Sequence, residues 1–239
     1  MIRTLALALV ALTAGVASPA AAETRSYTVT DFDRVRIDGP YSVTVTTGTG
    51  SFARATGSAA AIDRVKLRVE GTTLIVSVDP GGWGGYPDGP AGPVLVEAGT
   101  ANLSIATVNG AGSLTVSDIR GLEFALNMLG SGVANIQRLD VDRLKIGVAG
   151  AGSARVTGRA LNLTAIVRGA GSIDASALSA RDAVIGAEGP AVVRATVDGT
   201  AKVDASGVAS VTLDGNPGCQ SKTVGTATIS GCREQVGRR

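Results

Sequence analysis

Hydrophobic and polar residues alternate with a period of two through most of the chain. Before Gly150 the apolar series is Leu144, Ile146 and Val148; before Gly169 it is Leu161, Leu163, Ala165 and Val167. That period belongs to a strand with one covered face, whereas a helix would repeat every 3.6 residues. In the same phase beyond each of seven glycines, the fourth following residue is Leu114, Ala134, Ala154, Ile173, Val193, Val211 and Ile229. Two positions further stand Val116, Ile136, Val156, Ala175, Ala195, Leu213 and Gly231. The intervening residues are Ser, Thr, Asn, Lys, Arg and Asp, as a solvated outer face requires.

The same glycines define a repeat. Gly-Ala-Gly-Ser occurs at 110–113, 150–153 and 169–172, with Gly-Ser-Gly-Val at 130–133 and degenerate copies led by Gly189, Gly207 and Gly225. Successive leading glycines are 20, 20, 19, 20, 18 and 18 residues apart. A unit of this size cannot bury its apolar side alone, so copies must stack. The pattern predicts an all-β, parallel β-helix-like solenoid with 18–20-residue coils about 4.8 Å apart, so that seven coils make a rod of roughly 30 Å. Equivalent residues then form columns. The first and third residues of each Gly-x-Gly unit share the inward phase and are always Gly or Ala, predicting a column of small residues at a sharp bend or a close approach. No helical period follows any copy, which argues against a dinucleotide fingerprint, and the period is wrong for a calcium-binding nonapeptide roll.

The predicted organisation is a leader over 1–22, an irregular β part over 23–109 that caps one end of the solenoid, regular repeats over 110–232 and a tail over 233–239. Within the irregular part, Tyr27–Thr30, Val35–Asp38, Tyr41–Thr46, Val65–Val69 and Leu74–Val78 alternate. Residues 80–93 are dominated by Gly and Pro and read as a projecting loop.

Composition then narrows the chemistry. The 239 residues include 33 Gly but only 3 Phe, 3 Tyr and 1 Trp, so the interior must be thin. Lys and Arg total 22 against 20 Asp and Glu, a formal charge of +2 without a basic face, so nucleic acid is not expected as a partner. Histidine is absent, which removes the commonest general base and transition-metal ligand; no catalytic residue, cofactor or metal site is assigned. The N-terminus has Arg3, an apolar stretch over Leu5–Val16 and small residues to Ala20-Ala21-Ala22, the form of an export signal cleaved after Ala22. An uncleaved anchor is the alternative, but the second half of the segment is weakly apolar, and no second run is long enough to span a bilayer as a helix. Export suits a disulfide between the two cysteines, Cys219 and Cys232, which are expected to be paired.

Phe32-Asp33-Arg34-Val35-Arg36-Ile37-Asp38-Gly39-Pro40-Tyr41-Ser42-Val43-Thr44-Val45, then Gly71-Thr72-Thr73-Leu74-Ile75-Val76 and the serial Gly-Ala-Gly turns, resemble the head GIN domain family of putative auto-transporter adhesins over about Asp31–Cys232. The resemblance implies a right-handed β-solenoid, a bacterial source and a cell-envelope location. It implies no catalytic residue. The Asp that often follows Gly-x-Gly in the family is replaced here by Ser113, Val133, Ser153 and Ser172.

Candidate sites are few. Trp83 and Tyr86 in the Gly-Pro loop are candidate ligand-binding aromatics, able to stack on a sugar or to pack against a solenoid end. Asp140, Asp142, Arg143 and Lys145 cluster as on polysaccharide-cleaving β-helices, but without acid-pair spacing across coils. The expected protein is therefore a non-catalytic periplasmic or secreted module that displays its faces to envelope glycan or protein partners. A polysaccharide hydrolase or lyase is the alternative, and envelope maintenance a third role that the sequence does not separate from adhesion.

Overall fold

The computed structural model describes residues 22–79 and 92–233. Residues 1–21 of the expected export signal and the loop bearing Trp83 and Tyr86 lie outside the described residues. The chain forms β1 (Glu23–Tyr27), β2 (Arg34–Asp38), β3 (Ser42–Thr47), β4 (Phe52–Gly57), a short helix α1 (Ala59–Ile62), β5 (Val65–Glu70), β6 (Thr73–Val78), β7 (Leu95–Thr100), β8 (Ile105–Gly110) and β9 (Ser113–Val116). Long, bent strands follow: β10 (Ile119–Gly130), β11 (Val133–Gly150), β12 (Ser153–Arg168), β13 (Ser172–Glu188) and β14 (Val192–Gly207), then β15 (Ser210–Asp214), β16 (Gly218–Gly225) and β17 (Thr228–Ser230). From β10 onward every pairing is parallel and joins residues one coil apart, which makes the molecule a β-solenoid.

One coil shows how the alternation is used. In β11 the buried residues are Ala134 and Ile136, then Leu139 and Val141, then Leu144, Ile146 and Val148. The two steps of three mark corners at which the strand phase resets, so each coil has three walls. The phase does not run unbroken as the sequence suggested: in β12, Ala160 turns inward and Leu161 stands 48% exposed at a corner, with Leu163 the next inward residue. On the third wall the inward side chains shrink along the stack. Phe124, Leu126 and Met128 give way to Leu144, Ile146 and Val148, later to Ala201, Val203 and Ala205, and lastly to Cys219, Ser221 and Thr223.

The seven leading glycines stack in vertical register at the corner between the third and first walls. All have positive φ, from +79° to +117°, a region that L side chains rarely adopt. They lie on the rim rather than in the inward phase expected for them. The third-position residues do face inward: Gly112, Gly132, Gly152, Gly171, Ala191 and Ala209 are buried. A Cβ at Gly132 would lie 2.6 Å from the Gly112 carbonyl oxygen and 2.8 Å from Val108. The small-residue column thus has two causes, backbone angle at the first position and lack of space at the third.

Regular coils begin well before Gly110. Strands β2 and β3 form a coil whose corner is Gly39, at φ +124°. This coil pairs in parallel with β6 and β7 on one side and with β8 and β9 on the other. The spatial order is therefore β6–β7, β2–β3, β8–β9: the first coil in sequence is wedged between the next two. Partners across the second junction are 71 residues apart, as in the bond from Asn109 Nδ2 to Asp38 Oδ1 at 2.7 Å. The crossover at 101–104 is pinned to the wedged coil. Ser104 Oγ donates to Asp33 Oδ2 at 2.8 Å, and the Gly48 amide donates to the Ala101 carbonyl at 3.0 Å.

Among the described residues, capping of this end falls to β1, β4, β5 and α1. Strand β5 runs antiparallel to β6, and β4 antiparallel to β7 with β1 outside it. Antiparallel pairing ends the coil-on-coil repeat, and β1 (Glu-Thr-Arg-Ser-Tyr) presents charged and polar residues along the outer edge, which discourages edge-to-edge association. Ser58 caps α1 by accepting from the Ala61 amide, and Ala61 and Ile62 are buried. At the other end Cys219 and Cys232 form a disulfide, with Cα atoms 5.6 Å apart. It closes β16, the last glycine corner and β17 into a ring where the inward residues have become polar. Replacing both cysteines by Ser is expected to cost about 3 kcal/mol, the loop-closure entropy of some 14 residues, read as a lower urea midpoint. An unchanged midpoint would show that the terminal coil is held by its ladder alone.

Candidate binding surface

The outer faces are columns of equivalent residues. On the first wall one column runs Ser113, Val133, Ser153, Ser172, Val192 and Ser210, and the next Thr115, Asn135, Arg155, Asp174, Arg194 and Thr212. On the third wall a column runs Glu123, Arg143, Asn162, Asp182 and Thr200. Charges within columns are paired from coil to coil. Arg143 and Lys145 reach Glu123 at 3.0 and 2.7 Å, Arg159 meets Asp140 at 2.6 Å, Arg155 meets Asp174 at 2.9 Å and Arg168 meets Glu188 at 3.4 Å. Each pair is solvated, so individually it contributes little to stability.

These contacts favour the charged form of several surface carboxyls. Lys145 and then Arg143 hold the Glu123 carboxyl below its ordinary range, and Arg159 does so for Asp140. The Ser176 hydroxyl leads in lowering Asp174, with Arg155 adding to it, and the Thr200 hydroxyl leads for Asp182. Asp33 and Asp38 are also lowered, Asp33 chiefly by the Thr72 hydroxyl, and Asp38 by Arg36 and Asn109 against an opposing burial penalty. All six of these carboxyls are displaced downward, opposite to the direction that a general acid needs.

A stability profile follows from the sign. Depressed carboxyls stabilise the fold above their unfolded values, about 3.9 for Asp and 4.3 for Glu, and the contribution is lost as pH falls through the lower folded values. With no histidine in the chain, the melting temperature should stay nearly level from about pH 5 to 8 and drop below about pH 4. A steep change near pH 6.5 would contradict this assignment.

Of the residues singled out from the sequence, Asp140, Arg143 and Lys145 do lie on adjacent outer walls, but their charges are spent on Arg159 and Glu123. Sequence reasoning missed Glu123, although it stands 20 residues before Arg143, one coil away. Among the described residues, no group of three or more Cys, Asp or Glu is placed to hold a metal ion, and no helix is long and apolar enough to cross a membrane.

Comparison with known proteins places this architecture. The family model described as "Putative auto-transporter adhesin, head GIN domain" matches residues 31–217. The chain belongs to this family. Solved structures share the fold at low identity. One described as a putative adhesin from Bacteroides fragilis has a TM-score of 0.79 at 19% identity, over 87% of this chain and 95% of that one. A putative lipid binding protein from Parabacteroides distasonis has 0.69 at 19% identity, with the same coverage. A putative adhesin from Parabacteroides merdae has 0.66 at 17% identity, again with the same coverage. No curated protein matches the sequence.

Proposed function

We propose that this head GIN domain protein is an exported, non-catalytic cell-envelope module whose outer walls bind glycan or protein partners. The observation that carries the reading is the set of columns of Ser, Thr, Asn and charged side chains repeated at coil spacing, with carboxylates held by neighbouring cations or hydroxyl donors. Such a face offers many fixed donors and acceptors and no proton-transfer pair, which favours recognition over chemistry. An export signal over 1–22, the disulfide and the family's adhesin designation support an envelope location, in the periplasm or outside the cell. The test is a glycan array probed with the chain from residue 23 onward, beside a Trp83→Ala, Tyr86→Ala variant. Binding by the wild type supports the reading, and equal binding by the variant removes those aromatics from it. Silence on the array redirects the search to protein partners, and cleavage of any bound glycan overturns the non-catalytic assignment.

A further inference from the structure

On the first wall, beside the glycine corner, lies a half-open concavity of about 420 Å³ that spans four coils, from Val133 to Val192. Its volume falls within the roughly 300–1,000 Å³ of small-ligand sites. Along the row next to the corner, Val133 and Val192 stand at the two ends with Ser153 and Ser172 between them. The hydroxyls form a low floor because the flanking residues are bulkier.

The neighbouring row supplies the charge. Asp174 accepts from Arg155, and its other oxygen takes the backbone amide and hydroxyl of Ser176, so this carboxylate is saturated. Arg194, one coil beyond Asp174, is exposed and has no hydrogen bond or ion pair among the described residues. Arg155, Asp174 and Arg194 thus leave one uncompensated guanidinium at the edge of a hydroxyl-floored depression.

We propose that this concavity binds the carboxylate-bearing sugar units of an acidic polysaccharide, a reading that rests on the glycan arm of the function proposed above. The Arg194 guanidinium matches a carboxylate in bidentate geometry. Ser153, Ser172 and the Asn135 amide both donate and accept, as ring hydroxyls require, and the Val133 and Val192 methyl groups cover the apolar C–H face of a pyranose. A neutral sugar would leave Arg194 unused, and a bare anion would leave the floor and the valines unused.

The test is titration calorimetry of the full mature chain with short oligogalacturonates and with their methyl esters, which remove the charge and keep the rings. The acid form should bind, and esterification or Arg194→Gln should each weaken binding about ten- to a hundredfold, the effect of losing a charge-assisted pair. Raising the salt concentration should weaken the acid form alone, and Arg168→Gln, on another wall, should leave affinity unchanged. Equal binding of acid and ester, or full affinity in Arg194→Gln, overturns the proposal, as does absence of binding by the acid. If the acid fails while the array returns a neutral glycan, this site assignment falls and the broader function stands. If neither glycans nor proteins bind, both fall.

Discussion

Phe124→Ala is expected to cost about 3–5 kcal/mol, a large share of the roughly 5–15 kcal/mol that holds a typical domain folded. Phe124 is fully buried and heads the largest fully buried side chains of the described interior. It points inward on the third wall, in register with Leu144 of the next coil. Truncation removes the ring's burial and leaves a void that parallel ladders on each side prevent from collapsing. Phe124→Leu, which fills most of the space, should recover much of the loss. The measurement is urea unfolding of both variants against the wild type, with the slope checked for constancy. A cost under about 1 kcal/mol for the alanine variant would mean that this interior is not packed to ordinary protein density.

Gly158→Ala should be comparably damaging, for a different reason. Gly158 has φ +133°, and a Cβ built there would sit 2.1 Å from the Leu139 carbonyl oxygen and 2.6 Å from the Leu139 amide nitrogen. The neighbour is backbone of the preceding coil, itself paired on both sides, so it cannot step aside. Relief would require shifting one coil against the next and breaking ladder bonds near the register slip between Arg155 and Gly158. A cost of at least about 3 kcal/mol follows. In a chain of this size that lowers the melting temperature by roughly 6–12 °C. Gly50→Ala is the control: its Cβ meets nothing within 4 Å, and it should be near neutral. If the two variants melt together, the close approach at Gly158 is not a constraint on the fold.

The coil spacing and the inward columns were legible because a solenoid writes its geometry into the sequence at the repeat length. Leu114, Ala134 and Ala154 fall on one another because each coil spends the same number of residues returning to the same wall. The corners were less legible. A bend resets the phase without a residue type of its own, so Leu161 reads as inward on alternation and sits outward in the structure. The wedged coil was hidden for a related reason: its corner is Gly39-Pro40-Tyr41, with a buried aromatic where later coils have glycine or alanine, and its partners are 39, 53 and 71 residues away, outside any short period. On the surface, opposite charges one coil apart, as at Glu123 and Arg143 or Asp140 and Arg159, are readable in principle from the repeat. Which cation remains unpaired is not, because Arg155 and Arg194 both neighbour Asp174 and only geometry shows that Arg155 takes it.

The displaced order of the first three coils bears on how the molecule comes into being. A chain made from its N-terminus delivers residues 34–47 first, yet the two surfaces that seal them belong to 73–100 and 105–116. Until residue 116 is present, that segment has at least one open edge and nothing to complete it. Every later coil can settle on the one before it as soon as it emerges, whereas this one must wait for a gap to be built around it. Final closure of the N-terminal end is therefore a slow, long-range event, and the remainder of the rod can zip up from the middle outward.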